Sequence, residues 1–298
     1  MKMIQVIHCA KRQYVLYIIF SHAIINEVFK KLIIFYESEK KMETTNMNLT
    51  GKASIDKPWL KYYPEELHNM ETPKITLEEF LKMKNPDDSK IAFEYYGNKI
   101  TWKTLWEEVD KAAKSLKVLG FGDGNRLPMF LPSTPAHYII LLAAERIGTA
   151  IICRDDIPEE LCFAIRKSKS DTAFVMDYTS KEDEQLFRET TPMTRMIKVS
   201  PYCYADKASV PDYVEKEIAS RYVNPTDSTE DVLTWDEFMA LGENYTEDYR
   251  AERNPDRAVF GAYTSGSTGI SKLVIHSSSN MVAVAFQMSI FIPPSPVQ

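Results

Sequence analysis

The sequence predicts an α/β fold in which repeated βα units build a mainly parallel sheet with helices on both faces. Short apolar segments of strand length alternate with helical patterns between about residues 91 and 200. A further apolar, β-prone segment, Ala258–Tyr263, returns after a polar connection. Strands that alternate with helices pair in parallel, because each helix carries the chain back to the same end of the sheet.

Composition places the chain among globular proteins. Its 298 residues are 44% hydrophobic and 26% charged, which supplies enough apolar material for a sizeable core. The four cysteines show neither metal-ligand spacing nor a disulfide pattern, which favours a reducing compartment and a cytoplasmic protein. The net charge of −6 argues against nucleic acid as the main partner.

The first 41 residues differ from the rest. They carry seven basic and three acidic residues, whereas the remainder carries 29 basic and 39 acidic residues. Residues 13–26 contain no Asp, Glu, Lys or Arg, but this run is shorter than the ~20 apolar residues of a membrane-spanning helix, so a membrane partner is not expected. One interpretation of residues 1–41 is a secretory or targeting segment. We favour the other, a non-native extension upstream of a start at Met42 or Met47, with the folded domain in residues 42–298.

Two short elements open the predicted fold. Residues 76–83 begin with threonine and carry glutamate three residues later, which is the capping box that precedes a helix. Residues 91–96 and 99–101 are β-prone segments that predict a hairpin, with Gly97 and Asn98 as its turn.

Residues 101–119 form the clearest predicted helix. Apolar side chains recur at three- and four-residue spacing on one face, and Gly120 ends the pattern. Trp102 and Trp106 belong to this stripe. Aromatic stripes at helical spacing are far more often core than ligand-binding surface, so this face is assigned to the core.

From there the βα units repeat. The predicted strands are residues 126–131, 149–153, 173–177 and 196–200, and the predicted helices are residues 133–147, a helix from Pro158, and residues 181–189. Residues 202–234 are polar and contain prolines, which predicts an irregular connection. A second capping box at residues 234–237 begins a helix that Gly242 ends, and residues 244–255 form a charged linker.

The stretch after Ala258–Tyr263 has the composition of a phosphate-binding loop. Gly266 and Gly269 permit positive φ and let backbone N–H groups turn inward around an anion. Lys272 supplies a mobile point charge suited to β- and γ-phosphates. A second strand at residues 273–276 and a helix to about residue 292 are predicted to follow. The hydroxyl side chains that can donate to phosphate oxygens or ligate Mg²⁺ are Thr264, Ser265, Ser267, Thr268 and Ser271.

Two other interpretations of this loop were weighed. A flexible, solvated Ser/Gly turn is common in proteins, but such turns rarely lie between two apolar strands with a lysine at the exit. A Walker A loop requires Gly-Lys-Ser/Thr, whereas Ser271 precedes the lysine and Leu273 follows it. The sequence therefore disfavours a P-loop kinase or ATPase.

Other candidate chemistry is sparse. Asp155, Asp156, Glu159 and Glu160 could form a carboxylate site, but acidic residues at the start of a helix are more simply explained by the helix dipole. His137 lies on a predicted helix and is assigned a structural role. The sequence contains no Ser-His-Asp, HExxH or CxxC arrangement.

Residues 263–272, YTSGSTGISK, resemble the signature phosphate loop of the AMP-forming adenylating enzymes. This family comprises the acyl-CoA synthetases, the luciferase-like ligases and the adenylation domains of nonribosomal peptide synthesis. Its pattern has proline where Ser271 stands here and glycine where Leu273 stands. Weaker family-like elements occur upstream in the right order, and the resemblance covers roughly residues 56 to 292. Those elements are residues 100–105, 122–123 and 131–136.

The resemblance implies the fold of the first part of the large N-terminal domain of these enzymes and ATP-dependent activation of a carboxylic acid. An acyl-adenylate and pyrophosphate form first, and the thiol of CoA or of a carrier protein then accepts the acyl group. Thr264 is the implied protein contact of Mg²⁺, and His276 is implied to support the site by packing or by lining a substrate channel. The residues implied to hold the β- and γ-phosphates are Thr264, Ser265, Gly266, Ser267, Thr268, Gly269 and Lys272.

The family's later segments, which supply the adenine pocket, a magnesium-binding glutamate, a ribose-binding aspartate and a mobile C-terminal domain, have no counterpart in this sequence. The expectation is therefore an incomplete N-terminal adenylating domain that is inactive alone and associates through an unpaired sheet edge. Two alternatives stay open: a non-catalytic remnant that only binds phosphate or packs against a partner, and a fragment of a nonribosomal-peptide-type adenylation domain. The acid is not identified, because the residues that select it in this family follow the loop.

Overall fold

The computed structural model describes residues 50–63, 65, 68–153, 157–264 and 271–291. These residues divide between two compact units. The larger unit runs from Ile75 to Met281 and contains the sheets. The smaller unit consists of the described residues up to Lys74 together with those from Val282 onward.

The described part of the smaller unit contains a four-residue helix, α1 (Ala53–Asp56), and a 3₁₀ helix over Pro58–Tyr62. Asp56 accepts hydrogen bonds from the backbone N–H of Thr50 at 2.8 Å and from its hydroxyl at 2.7 Å. These two bonds lower the pKa of the Asp56 carboxyl, although burial opposes them. The aspartate therefore closes the short turn at α1.

In the larger unit, helices alternate with strands along the chain. The helices are α2 (Leu77–Lys84), α3 (Trp102–Val118), α4 (Pro135–Ile147), α5 (Pro158–Ser168), α6 (Lys181–Thr190), α7 (Asp212–Arg221) and α8 (Trp235–Ala240), and α9 (Ser278–Phe291) begins in this unit. The strands are β1 (Ile91–Tyr95), β2 (Asn98–Thr101), β3 (Arg126–Pro128), β4 (Ala150–Cys153), β5 (Thr172–Met176), β6 (Arg195–Val199), β7 (Val232–Thr234), β8 (Ala258–Tyr263) and β9 (Leu273–Ser277).

The main sheets are mostly parallel. One sheet has the order β3-β4-β8-β9 and another has the order β5-β6-β7, and every pair in them is parallel except β8 with β9. A parallel bridge between Met129 and Phe174 joins the two sheets, and the N–H of Phe130 donates to the carbonyl of Phe174 at 2.9 Å. The described strands thus follow the order β9-β8-β4-β3-β5-β6-β7, which confirms the predicted α/β fold with a mainly parallel sheet.

A contiguous apolar core lies where these strands meet α5 and α6. Its fully buried members come from β4, β5 and β6 and from the inward faces of the two helices. Burying such side chains stabilises a domain by roughly 1.5–3 kcal/mol each. The buried residues of this cluster are Phe130, Ile152, Leu161, Cys162, Ala164, Ile165, Ala173, Val175, Phe187, Met193, Met196, Val232 and Tyr263.

Both predicted capping boxes are present. The N–H of Glu79 donates to the hydroxyl of Thr76 at 3.2 Å, and the N–H of Thr76 donates to the carboxylate of Glu79 at 2.8 Å. At α8 the N–H of Thr234 donates to the Glu237 carboxylate at 2.7 Å, and the N–H of Glu237 donates back to the Thr234 hydroxyl at 3.3 Å. The local pattern therefore determined where α2 and α8 begin.

The turn of the first hairpin differs from the prediction. Tyr95 pairs with Asn98, so the two turn residues are Tyr96 and Gly97 rather than Gly97 and Asn98. Tyr96 has φ +42° and Gly97 has φ +79°, as a two-residue type I′ turn requires. Asn98 is instead the first residue of β2, and its side-chain amide donates to the carbonyl of Tyr204 at 2.7 Å.

The prediction that residues 202–234 are irregular was wrong in part. They contain the helix α7 and the strand β7, which pairs in parallel with β6. No residue of α7 is fully buried and only Val214 and Ile218 are half-buried, so its apolar stripe is too short for the sequence pattern to identify the helix. Three residues of β7 are also too few to show an alternating pattern.

Candidate functional site

The candidate site lies at the closed end of the hairpin that β8 and β9 form. Tyr263 pairs with Leu273 in the antiparallel ladder. Beyond this pair, the N–H of Thr264 donates to the carbonyl of Lys272 at 2.9 Å, and the N–H of Lys272 donates to the Thr264 hydroxyl at 3.1 Å. The hydroxyl of Ser271 also donates to the carbonyl of Thr264, at 2.6 Å. Three hydrogen bonds therefore fix the two residues from which the loop departs.

Of the residues predicted to hold phosphate, two are described. Thr264 and Lys272 face each other across the hairpin stem, and both are exposed. The remaining five, which are Ser265, Gly266, Ser267, Thr268 and Gly269, lie outside the described residues. The structure thus brings together the threonine and the lysine that flank the predicted anion cradle.

The strand that leads into the loop is anchored on the parallel sheet. Gly261 of β8 pairs with Ile152 of β4, and a Cβ atom built on Gly261 would lie only 2.8 Å from the Ile152 Cδ1 and 3.0 Å from the Ile275 Cδ1. The absence of a side chain at Gly261 therefore leaves room for the isoleucine side chains of β4 and β9 to pack over β8. Tyr263 is buried at the end of β8, and its ring packs edge-on against Phe163 at 5.6 Å between centroids.

The loop follows the carboxyl end of β8, beside the carboxyl end of β4. In open α/β sheets, ligands bind in the crevice outside the carboxyl ends of parallel strands. Cys153, the last residue of β4, pairs with Ala262, so its thiol lies near this crevice. Burial raises the pKa of the Cys153 thiol to about 12, so the thiol is neutral at pH 7 and is a poor nucleophile.

His276 lies away from the loop. It pairs with Phe260 across the hairpin, and the two rings pack at 6.1 Å between centroids. Four residues separate it from Lys272, a distance of roughly 13 Å along a strand. The contacts of His276 are thus those of a packing residue on the hairpin rather than of a phosphate ligand.

The open end of the hairpin is fixed by a buried carboxylate that sequence reasoning missed. Glu145 of α4 accepts hydrogen bonds from the N–H groups of Leu77 at 2.9 Å and Glu78 at 3.1 Å. It also accepts a hydrogen bond from the hydroxyl of Ser278, which is the residue directly after β9. The N–H of Ser278 in turn donates to the carbonyl of Arg257 at 3.1 Å, just before β8.

Burial raises the pKa of Glu145, and the negative charge of Glu78 adds to this shift, whereas the bonds from Ser278, Leu77 and Glu78 oppose it. The donors meet Glu145 from two other elements, the start of α2 and the start of α9. No local sequence pattern could have found this arrangement, since Glu145 and Ser278 are 133 residues apart.

A buried ion pair lies next to Glu145. The guanidinium of Arg146 makes two hydrogen bonds to the Glu78 carboxylate, at 2.8 Å and 2.9 Å, and only 3% of the Arg146 side chain is exposed. Burial alone would raise the pKa of Glu78, but Arg146 and Lys82 outweigh it and the net shift is downward. Arg146 also contacts Asp110, which accepts a short hydrogen bond from Tyr249. The start of α2 and the end of α4 are thereby held together by charge-assisted bonds.

The other sequence candidates do not join the hairpin site. Glu159 and Glu160 lie in the first turn of α5, as the helix-dipole interpretation expects. His137 is held by its Nδ1 atom, 3.1 Å from the carbonyl of Leu131, and burial lowers its pKa, so the ring is neutral. Asp155 and Asp156 lie outside the described residues. In the described part of the chain, no group of three or more His, Cys, Asp or Glu residues could hold a metal ion.

Comparison with solved structures shows which known fold the chain has. The fold matches coronafacic acid ligase from Pectobacterium brasiliense with a TM-score of 0.56 at 15% identity, over 75% of this chain and 39% of the ligase. It matches acetoacetyl-CoA synthetase from Streptomyces lividans with a TM-score of 0.53 at 18% identity, over 72% of this chain and 32% of the synthetase. The chain therefore shares its fold with part of each of these two proteins.

Sequence comparison gives the family. A model of the AMP-binding enzyme family matches residues 82–296, and the chain belongs to this family. It is 29% identical over 210 residues to acetyl-coenzyme A synthetase from Marinomonas sp. (strain MWYL1), covering 66% of this chain and 30% of that enzyme. The corresponding synthetase of Mycolicibacterium smegmatis is 28% identical over 183 residues, covering 60% of this chain and 18% of that enzyme. The chain thus spans less than a third of the length of these relatives.

The family assignment confirms the resemblance that the loop indicated. Over the described ranges, each helix is too short or too polar to span a lipid bilayer.

Proposed function

We propose that this chain supplies the ATP phosphate-binding part of an acid-activating ligase of the acyl-CoA synthetase type. The observation that supports this most directly is the hairpin stem, in which Thr264 and Lys272 flank the glycine- and hydroxyl-rich loop beside the carboxyl end of β4. A loop at this place presents backbone N–H groups and one cation to the crevice where α/β sheets bind ligands. Membership of the AMP-binding family supports ATP as the nucleotide.

In this proposal the loop residues act by electrostatic positioning. Ser265, Gly266, Ser267, Thr268 and Gly269 surround the β- and γ-phosphates with N–H and O–H donors, and Lys272 neutralises part of their charge. The acid's carboxylate attacks the α-phosphate, pyrophosphate leaves, and the thiol of CoA or of a carrier protein later displaces AMP from the acyl-adenylate. Charge that develops on the leaving pyrophosphate is what the loop stabilises.

Thr264 fits a role at a magnesium ion that is bound together with the phosphates. One lone pair of its hydroxyl accepts the N–H of Lys272, which leaves a second lone pair for a cation. Mg²⁺ prefers about six oxygen ligands and in nucleotide sites takes most of them from phosphate and water. A single threonine oxygen is consistent with that mode of binding, in which the ion adds positive charge to the phosphates.

The partners in this proposal are a small carboxylic acid and ATP, in the cytoplasm, with no role for nucleic acid or a membrane. The fold also presents the sheet edge through which association was expected, since β9 ends the sheet order among the described strands. We include such association in the proposal.

Nucleotide titration of the full chain tests the proposal. Calorimetry with MgATP should show binding that weakens at least about tenfold in Lys272→Met, because one charge-assisted contact to phosphate contributes roughly 1.5–3 kcal/mol. Lys103→Met, an exposed lysine of α3, is the matched control and should bind as the wild type does. Equal binding by all three proteins would refute the assignment of the loop.

A second function is phosphate binding without turnover by these 298 residues alone, which span less than a third of the length of the relatives that they match. Acid-dependent exchange between ATP and pyrophosphate separates the two. We expect the isolated 298-residue chain to bind MgATP and to give no exchange. Exchange above the background of Lys272→Met would show that the chain is catalytic alone.

A further inference from the structure

The edge of the sheet at β9 has a specific chemical character. Among the described strands, β9 pairs with β8 alone and ends the sheet order. Its five residues include no Asp, Glu, Lys or Arg. Edge strands of soluble proteins usually carry lysine, proline or a bulge that prevents pairing with another chain. The irregularity in the ladder lies between Ala258 and Phe260, at the start of β8, and leaves the loop-proximal part of β9 regular.

The hydrogen-bond pattern shows which backbone groups face outward. The N–H of Thr264 donates to the carbonyl of Lys272, so these two residues form a hydrogen-bonded pair. Such pairs recur at every second residue of an antiparallel ladder. Val274 and His276 are therefore bonded to β8, whereas the N–H and C=O groups of Leu273 and Ile275 point away from it.

The side chains at this edge are also open. Val274 is 41% exposed and Ile275 is 37% exposed, although successive residues of a strand point to opposite faces. Both faces of the edge thus present an aliphatic side chain to solvent. Such an edge offers a partner unpaired backbone groups and apolar contact on both sides of the sheet.

We propose that β9 pairs antiparallel with β9 of a second copy of this chain, about a two-fold axis at Ile275. In this register the outward N–H and C=O groups of Ile275 bond those of its equivalent, and the N–H of Leu273 donates to the Ser277 carbonyl of the copy. Val274 then faces His276 of the copy on one face of the sheet, and the two Ile275 side chains meet on the other. The N–H of Ser277 already donates to the Asn280 side chain at 3.2 Å, so it is not needed between the copies.

A second copy suits this edge better than an unrelated partner. An antiparallel edge is self-complementary about a two-fold axis, which is the commonest symmetry of protein dimers. Because β9 contains no Asp, Glu, Lys or Arg, it offers no permanently charged side chain that would select a partner of opposite charge, and in this register His276 faces Val274 rather than its own equivalent. Two five-residue strands bury less than the ~1,200 Å² of stable complexes, so the dimer is weak and its population depends on concentration.

The β9 dimer is a specific form of the sheet-edge association in the proposed function, and it does not depend on nucleotide binding. Lys272 is three residues from the axis, so the two loops of a dimer start roughly 20 Å apart along the ribbon. The loops therefore do not obstruct each other, and MgATP affinity should be the same in monomer and dimer. Failure of the dimer and failure of the nucleotide site can thus be told apart.

Analytical ultracentrifugation of the full chain over a hundredfold range of concentration tests the pairing. Wild-type protein should pass from monomer to dimer. Ile275→Pro removes one outward N–H that β8 does not use, and Ile275→Lys places two like charges at the axis, so each should weaken dimerisation at least tenfold. Val118→Lys on α3 is the matched control, since Val118 is a similarly exposed aliphatic residue at 47% exposure.

The outcomes are distinct. Dimers in the wild type and in Val118→Lys but not in the two Ile275 variants support the pairing, and unchanged circular dichroism shows that each variant is folded. A wild type that stays monomeric at every concentration overturns the proposal. So does a dimer that persists in Ile275→Lys, because that dimer uses another surface.

Discussion

Replacing Glu145 by alanine tests whether the buried carboxylate holds the elements behind the hairpin together. The change removes the acceptor of two backbone N–H groups and of the Ser278 hydroxyl. Leu77 keeps a partner, because its N–H also lies 2.6 Å from the Ser278 oxygen. The N–H of Glu78 and the hydroxyl of Ser278 both donate to the Glu145 carboxylate, and both lose this acceptor in the variant.

The expected cost follows from these contacts. A buried donor left without an acceptor costs about 1–3 kcal/mol, so two such donors cost about 2–6 kcal/mol. Removing a buried carboxylate returns part of its desolvation penalty. We therefore expect Glu145→Ala to lower the free energy of unfolding by about 3 kcal/mol, and Glu145→Gln, which keeps one acceptor oxygen, by about half as much.

Urea denaturation followed by circular dichroism measures these differences. Glu217→Ala on α7 is the matched control, because Glu217 is exposed and makes only a 3.3 Å contact with Arg221 one turn along the helix. That pair should contribute no more than about 0.5 kcal/mol. If Glu145→Ala costs no more than Glu217→Ala, the buried carboxylate does not hold these elements and the reasoning fails.

Three further predictions concern the same unit. Because burial raises the pKa of Glu145, the native protein keeps this proton to higher pH than the unfolded chain, so its contribution to stability falls as pH rises from about 4.5 through the raised pKa. Glu145→Gln should remove this dependence. Urea denaturation over about pH 4 to 8 should then show that the difference in the free energy of unfolding between wild type and Glu145→Gln becomes smaller as pH rises. Lys169 ends α5 at φ +55°, so Lys169→Gly should stabilise the protein by about 0.5–1 kcal/mol, whereas Lys167→Gly inside the helix should destabilise it by a similar amount in the same urea assay. Gly242→Ala should lower the thermal midpoint, because the new Cβ would lie 2.7 Å from the Lys114 Cβ; calorimetry that finds no change would show that α3 and the end of α8 can separate freely.

Much of the fold was predictable because its signals are local. The capping threonines Thr76 and Thr234 lie three residues before their glutamates, and the chain begins a helix after each. The apolar segments of β4, β5 and β8 are short and bounded, so their alternation with helices predicted a parallel sheet. The helix α7 was not predicted because its apolar stripe consists of two half-buried residues, Val214 and Ile218, which is too short a pattern to recognise.

The candidate site likewise has one part that the local sequence predicts and one part that depends on long-range contacts. The loop between Thr264 and Lys272 was predictable, since its glycines, hydroxyls and lysine lie within ten residues. The hydrogen bonds of Glu145 at the other end of β9 were not predictable, because in the sequence Glu145 is an ordinary acidic residue near the end of an apolar helix. Only the fold brings it to Ser278, and only the hydrogen bonds show why the chain keeps a carboxylate there.

The two ends of β9 explain how such a distant residue can affect the loop. Burying a carboxylate is costly unless hydrogen bonds compensate it, so Glu145 is tolerable only where its three donors converge. One of those donors belongs to Ser278, and the convergence therefore fixes the point where β9 ends. Five residues further back, the same strand delivers Lys272 to the loop. Since electrostatic stabilisation of phosphate depends on donors that are already in position, a change at Glu145 would alter the loop through the placement of its strand and leave the charges of the hairpin as they are.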